Sequence, residues 1–474
     1  VPPERASTPP QLHQLHLSVC MIVKNEASIL GRCLKSVAPV ADEIIVVDTG
    51  SSDSTMDVAR DYNAHIIQTE WKNDFSLARN RSLKAATGKW ILWLDADDVV
   101  PEQSLPIIGE LKKEKADKVF GFIVRNEKPG NTGTEFIQAR MFPNRPEIFF
   151  ERRIHEQMMM SALRQGLSLV ETKAVVEHHG YSDSKTVQSK ARRNLPLLLA
   201  EYGEGSPDPV MAIEIADSYT ILGENDQAKT WYEKILAIPE SESAFPEIAS
   251  QACLGLGNLY NTAGNFHEAI SCLQKALRQS PHRLDALYSL AVSFELSGRQ
   301  PEAVDSLYTI IRTKPVALKV GIDFREAKIK SFLRLGRLLF ECSWNDEALD
   351  LAGQAVAAFP HRPEIQNMAG RIYFRNKKFM EALHAFEKSL AIEKVNIDAY
   401  VGLCQIYLYA GKKETAAQTV IAMRPVFESH PRYWALSRQI HGDSAASALP
   451  ETVEASAVAE EEKKIRLDYA LQNS

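Results

Sequence analysis

The sequence predicts an α/β domain on a mostly parallel sheet, followed by an all-α solenoid of helical hairpins. Three observations carry that prediction. Up to about Tyr181, apolar runs of strand length alternate with segments of helical period, as in a parallel sheet with right-handed crossovers. Beyond about Ser206 the strand-like runs stop. From there a Gly-x4-Ala pattern recurs at an offset of 34 residues, as expected for stacked helix–turn–helix units.

The first strand is "LSVCMIV" (17–23), a continuous apolar run suited to burial on both faces. A helix follows, because Leu30, Cys33, Leu34 and Val37 fall at helical spacing. "EIIVVD" (43–48) is the second strand, and "SDSTMDVARDY" opens a helix with capping-type Ser and Asp. "AHIIQTE" reads as a short third strand. "FSLARNRSLKAAT" reads as a helix ended by Gly88, and "WILWLD" as the fourth strand. Three later runs, "KVFGFIVRNE", "EFIQARMF" and "IFFERRIHE", read as strands of a mixed or antiparallel extension.

In the second half, Gly264 with Ala269 and Gly298 with Ala303 keep the 34-residue offset, and Ala348, Ala382 and Ala416 continue it. Gly223 with Ala228 forms an earlier copy, which makes six. The small Ala lets two helices approach closely, and Pro281 and Pro315 end second helices. Ser343 and Lys377 stand where Gly is expected, which weakens those turns. The pattern resembles tetratricopeptide repeats, whose concave surface suits an extended peptide or protein partner. The expected organisation is a lead-in (1–16), an α/β domain (17–205), repeats (206–441), and a linker with a short tail (442–474).

Composition excludes several classes. A net charge of −6 argues against a general nucleic-acid binder. No apolar run approaches the ~18 residues of a membrane span. The opening "VPPERASTPPQLHQLH" has no basic stretch followed by an apolar core, so no signal peptide is expected. The six cysteines are scattered without a CxxC pair, which fits a reducing cytoplasm.

Ligands of open α/β sheets bind at the carboxyl ends of the strands. There the sequence places Lys24, Asn25 and Glu26 after strand one, Asp48 and Asp53 in "VVDTGSSDST", and Asp95, Asp97 and Asp98 in "LDADD". Asp53 reads equally well as a helix cap, and Asp98 as a cap of the helix that begins near Pro101. Asp95 and Asp97 on one tight turn repel unless something screens them. Hard oxygen ligands of this kind suit Mg²⁺ or Mn²⁺.

"VDTGSSDST", "ARN" and "WLDADD", in that order, resemble the family 2 inverting nucleotide-sugar glycosyltransferases of the GT-A fold. The resemblance covers roughly residues 17–195 and implies a Rossmann-like mixed sheet, a nucleotide-sugar donor such as a UDP-sugar, and Mn²⁺ or Mg²⁺. It assigns Asp48 and Asp53 to the nucleoside, Arg79 to the base, Asp95 to the ribose and Asp97 to the metal. "WKNDFSLARN", "RMF", "IHE", "HHGY" and "KARRN" further resemble bacterial transferases with a helical-repeat tail, of the sublancin-type peptide S-glycosyltransferase kind. That kind has Asn where this chain has His179, while His178 keeps its place and becomes the expected third metal ligand. Glu156 is the expected catalytic base, with His155 as fallback. Arg192 and Arg193 are the expected diphosphate clamp, although a solvated helix face explains that pair equally well.

These readings predict a metal-dependent inverting transferase acting on a peptide or protein side chain held by the repeats. Its rivals are a transferase for glycan or lipid-linked acceptors, and an interaction protein with an inactive sugar-nucleotide domain. Trp71 and Phe75 are read as packing, and "MMM" (158–160) as apolar filling.

Overall fold

A computed structural model describes residues 16–128, 132–179, 184–204, 208–239, 241–314, 324–441, 453–454 and 456–462. The expected lead-in up to residue 15, Gly180 and Tyr181, Pro315, most of the insertion before Phe324 and most of the tail lie outside the described residues. The chain divides into two compact units, with the change between Ser289 and Leu290.

The first unit is built on an eight-stranded sheet. In chain order its elements begin β1 (Leu17–Val23), α1 (Ala27–Val37), β2 (Glu43–Asp48), α2 (Thr55–Asp61), β3 (His65–Gln68), α3 (Phe75–Ala85) and β4 (Trp90–Trp93). The extension adds β5 (Asp98–Val99), α4 (Leu105–Leu111), β6 (Val119–Lys128), β7 (Thr132–Pro143), α5 (Met159–Arg164) and β8 (Leu169–His178). The strand order is β3-β2-β1-β4-β7-β6-β8-β5. β1 to β4 are mutually parallel, and β7 joins β4 antiparallel.

The apolar strand bodies follow from double burial. Val19 and Met21 pack into one core with Leu30 and Leu34 of α1, while Cys20 faces a second core with Ile91, Trp93 and Phe142. Side chains alternate across a strand, so a strand covered on both faces has no polar side to show. Gly88 is needed elsewhere than at a helix end. α3 stops at Ala85, and a Cβ on Gly88 would lie 2.6 Å from the Ser18 hydroxyl.

Two expectations fail. "IFFERRIHE" is not a strand; it is a loop closed by an isolated bridge between Glu151 and Gln157. Arg152 and His155 have φ of 75° and 51°, values an extended strand cannot contain. β8, by contrast, is a strand that the apolar pattern did not disclose. Its first three residues are exposed, so the run "LVETKAVVEH" lacks a buried strand's composition.

The helical half consists of pairs. α6 (Ser184–Glu204) leads into α7 (Pro209–Leu222) with α8 (Asn225–Leu236), and after the short α9 (Ser241–Ala244) into α10 (Pro246–Thr262) with α11 (Phe266–Gln279). The following pairs are α12 (Leu284–Leu296) with α13 (Gln300–Arg312), α14 (Phe324–Glu341) with α15 (Asn345–Ala358), α16 (Pro363–Arg375) with α17 (Phe379–Ile392), and α18 (Ile397–Tyr409) with α19 (Lys413–Phe427). α20 (Pro431–His441) follows. Ala228, Ala269, Ala303, Ala348, Ala382 and Ala416 are all at most 1% exposed, as close helix approach requires. Gly223, Gly264, Gly298 and Gly411 turn between paired helices with φ of 72–79°, and Ser343 and Lys377 adopt the same left-handed conformation at 60° and 61°. In the second unit the tail is more than a linker. Val453 and Val458 are buried against Tyr433, Trp434 and Phe427.

Candidate active site

The carboxyl ends of β1 and β4 open into a cavity of about 510 Å³, walled also by β6, β7, the loop 150–157 and α6. Its floor is an acid cluster. Asp95, Asp97, Asp98 and His178 each offer a ligand atom, and these atoms lie within 4.8 Å of one another.

The four groups have different surroundings. Asp98 is fully buried. It accepts hydrogen bonds from Arg140 Nη1 at 2.8 Å and from the Asp95 amide at 2.8 Å, and its Oδ1 lies 2.9 Å from His178 Nδ1. It is therefore not the cap of the helix after Pro101. The register of β5 against β8, which pairs Asp98 with His178, turns it inward. Burial would raise the Asp95 carboxyl, but Arg79 and Arg140 beside it hold it down at about 2. Asp97 goes the other way: burial, then the charges of Asp95 and Asp98, push it up against the pull of His178. Burial lowers His178, but its bond to Asp98 and the charge of Asp97 outweigh this and raise it.

Such a cluster fits a divalent cation. Asp97 is the carboxylate least engaged by arginine, and its raised pKa reflects like charges that a cation would screen. His178 Nδ1 lies 2.9 Å from Asp98 Oδ1 and 3.4 Å from Asp97 Oδ1, so the imidazole is held by carboxylates within the cluster, the kind of support that metal-binding histidines receive. Carboxylate oxygens with one imidazole suit Mn²⁺ or Mg²⁺.

Arg79 organises the site from within. It is 6% exposed and lies 4.5 Å from the centre of the Trp93 ring. Its Nη2 donates to Asp95 at 2.7 Å and its Nε to Glu156 at 2.6 Å. One guanidinium thus joins the first acid of "DAD" to the expected base, instead of lying open beside a nucleobase. Glu156 lines the cavity, and so does His155.

The other expected residues divide. Asp48 is buried; its Oδ1 accepts from the amides of Gly50 and Ser51 at 3.0 Å. Its Oδ2 is buried without a partner among the described residues. Asp53 serves as a cap twice, accepting from the Thr55 amide at 3.0 Å and the Ala27 amide at 3.2 Å. Neither aspartate lines the cavity. Arg193 lines it and lies 5.3 Å from the centre of the Phe75 ring. Arg192 is exposed and is not among the lining residues. Lys190 takes its place, because positions i, i+3 and i+4 share a helix face and put Lys190, Arg193 and Asn194 together. Trp71 and Phe75 pack as expected, Phe75 against the core that α6, α7 and α8 share. They form an edge-on pair at 4.7 Å on the cavity wall.

Sequence reading gave no role to Lys190 and Arg140; Glu26, which it placed at the end of the first strand, lines the cavity. Helical spacing within "KARRN" could have singled out Lys190. Arg140 stands in the quoted "RMF", but nothing local names its partner Asp98, which lies 42 positions away.

Residues 18–170 match Glycosyl transferase family 2. Tetratricopeptide repeats match at 211–242, 254–317, 333–394 and 374–440. The chain is similar to a TPR repeat-containing protein of Synechococcus elongatus, at 31% identity over 314 residues, covering 63% of this chain and 76% of that protein. It is also similar to the SPbeta prophage-derived glycosyltransferase SunS of Bacillus subtilis, at 32% identity over 181 residues, covering 37% of this chain and 43% of that one. A PGL/p-HBAD biosynthesis glycosyltransferase of Mycobacterium bovis is 31% identical over 163 residues, covering 32% of this chain and 59% of that one. Among the described residues no helix is long and apolar enough to cross a membrane.

Proposed function

We propose a specific reaction for this chain, which belongs to the family 2 glycosyltransferases that carry tetratricopeptide repeats: transfer of a sugar, with inversion, from a UDP-linked donor to a side chain of a peptide or protein. The observation that carries this reading is the gathering of Asp95, Asp97, Asp98 and His178 within 4.8 Å at the floor of the strand-end cavity. The likeness to SunS over the transferase domain agrees with a peptide acceptor.

In this reading Asp97 and His178 hold Mn²⁺ or Mg²⁺, with Asp95 facing the ribose. When bound, the cation supplies charge neutralisation at the departing diphosphate. Lys190 and Arg193, on one face of α6, bind the same diphosphate. Asp48, whose buried Oδ2 has no partner among the described residues, stands on the nucleoside side in this reading, behind the residues that line the cavity. The acceptor atom attacks the anomeric carbon as the bond to the diphosphate oxygen breaks. Glu156 takes the acceptor proton on Oε2, because Arg79 occupies Oε1. A thiol acceptor, with an ordinary pKa of ~8.5, would need that base less than a hydroxyl.

Calorimetry with UDP and Mn²⁺, then turnover of UDP-sugars by the parent chain and by Asp97→Ala, tests the site. Undiminished metal-dependent turnover in Asp97→Ala removes the assignment, and unchanged transfer to a hydroxyl in Glu156→Gln removes the base. The mycobacterial likeness, confined to 163 residues, favours a second reading with a glycan or lipid-linked acceptor. Deletion of the distal repeats separates the two, since only a peptide transferase should lose its acceptor.

A further inference from the structure

The loop that carries Glu156 is held from two sides. On the transferase side, the Phe75 amide donates to the Arg153 carbonyl at 2.8 Å, and Asn80 brackets Phe150 with two hydrogen bonds of 2.8 Å. On the helical side, Arg152 forms an ion pair with Asp208, the residue that caps α7. The Arg153 amide donates to Glu201 of α6 at 2.9 Å. Ile154 is 4% exposed and buries itself among Leu198, Met211 and Ile215 of α6 and α7. His155 Nδ1 lies 4.0 Å from Glu214 of α7.

The backbone between these anchors is constrained. Arg152 and His155 both have positive φ, a conformation that L-residues keep only where the surroundings impose it. Glu156 follows directly and reaches Arg79 at 2.6 Å. Among the described residues, main-chain hydrogen bonds hold this segment at the bridge from Glu151 to Gln157 and where the Phe75 amide meets Arg153. Side-chain contacts supply its other anchors, among them those from α6 and the first repeat helix.

We infer that α6 and α7 belong to the catalytic apparatus, with Glu201 and Asp208 as positioning residues that hold Glu156 against Arg79, beside the acid cluster. This rests on the reading of Glu156 as the base. The repeats then have a role besides presenting an acceptor: their first helix, which does not itself line the cavity, braces the loop that does. A misplaced base can cost roughly 10–100-fold in rate while leaving donor contacts intact.

The test uses the full chain with Glu201→Ala, Asp208→Ala, Arg152→Ala and the Arg152→Ala/Asp208→Ala double variant. Three quantities are read: amide exchange of residues 153–156, UDP affinity in Mn²⁺, and kcat for UDP-glucose and UDP-N-acetylglucosamine turnover. Exchange should rise by roughly tenfold or more as the loop opens more often. UDP affinity should stay within about twofold and kcat should fall roughly 10–100-fold. The double variant should lose no more than the worse single one, since both remove one interaction. The charge swap Arg152→Asp/Asp208→Arg should recover part of the rate. Unchanged exchange overturns the inference, because the loop would then be held without these contacts. Faster exchange with kcat within twofold of the parent overturns the positioning role alone, with the parent's activity still standing. A parent chain that neither binds UDP nor turns over a UDP-sugar overturns the underlying reading, and the positioning role falls with it.

Discussion

Replacing Asp98 tests how the acid cluster is held together. The side chain is fully buried and receives Arg140, His178 and the Asp95 amide. Asp98→Ala leaves the guanidinium of Arg140, 2% exposed, without its carboxylate. Removing one member of a buried ion pair costs about 3–5 kcal/mol, because the other charge stays buried and uncompensated. At roughly 1.6 °C per kcal/mol for a unit of this size, the melting temperature should fall by about 5–8 °C. His178 also loses the carboxylate that fixes its ring, and loss of such a partner lowers metal affinity by about 10–100-fold. The two effects separate in the double variant Asp98→Leu/Arg140→Met. Apolar replacement of both charges should restore most of the stability, yet leave Mn²⁺ binding weak because His178 stays unanchored. Thermal denaturation and Mn²⁺ calorimetry on the parent and both variants suffice. An Asp98→Ala protein that melts with the parent, or binds Mn²⁺ as tightly, refutes the assignment of Asp98 as the anchor of the cluster.

Other perturbations follow from the same physics. Mn²⁺ should bind more tightly as pH rises through and above the ordinary histidine range. The raised pKa of His178 keeps a proton there that the metal must displace; calorimetry in buffers of different ionisation enthalpy should show proton release, and a pH-independent affinity would contradict it. Glu214 titrates near 8, chiefly because it is buried. A folded pKa above the unfolded value stabilises the fold fully below about 4.5 and loses that contribution as pH rises through about 8. Glu214→Gln should therefore flatten the loss of stability between pH 5 and pH 9 in urea titrations, and equal slopes would exclude the shift. Lys377→Gly should stabilise the second unit by ~0.5–1 kcal/mol, since relief of a left-handed L-residue outweighs the entropy glycine adds to the unfolded chain; a lower urea midpoint would count against it.

Much of the architecture was legible from apolar runs and spacing. β1, β2 and β4 announced themselves because strands buried on both faces have apolar bodies, with polar residues few or at their ends. The repeats were legible because each packs the same small residue at the same place, and Ala228 through Ala416 are indeed buried. β8 escaped because its first residues face solvent, and the loop 150–157 passed for a strand because Ile148 and Phe150 are buried like strand residues. Local composition records burial, not backbone conformation.

The acids of "LDADD" could be found from sequence, but their roles could not be divided there. Asp95, Asp97 and Asp98 are chemically identical side chains within four positions. What separates them is which partner reaches each: Arg79 from α3, His178 from β8, and Arg140 from β7. By itself the sequence determined a set of acids at strand ends and a helical-repeat half, because periodicity and residue chemistry are local properties. The tertiary structure alone decided that Asp98 is an internal anchor, which face of α6 meets the cavity, and that a repeat helix braces the loop of Glu156. Those outcomes depend on distances between residues far apart in the chain, which no local pattern encodes.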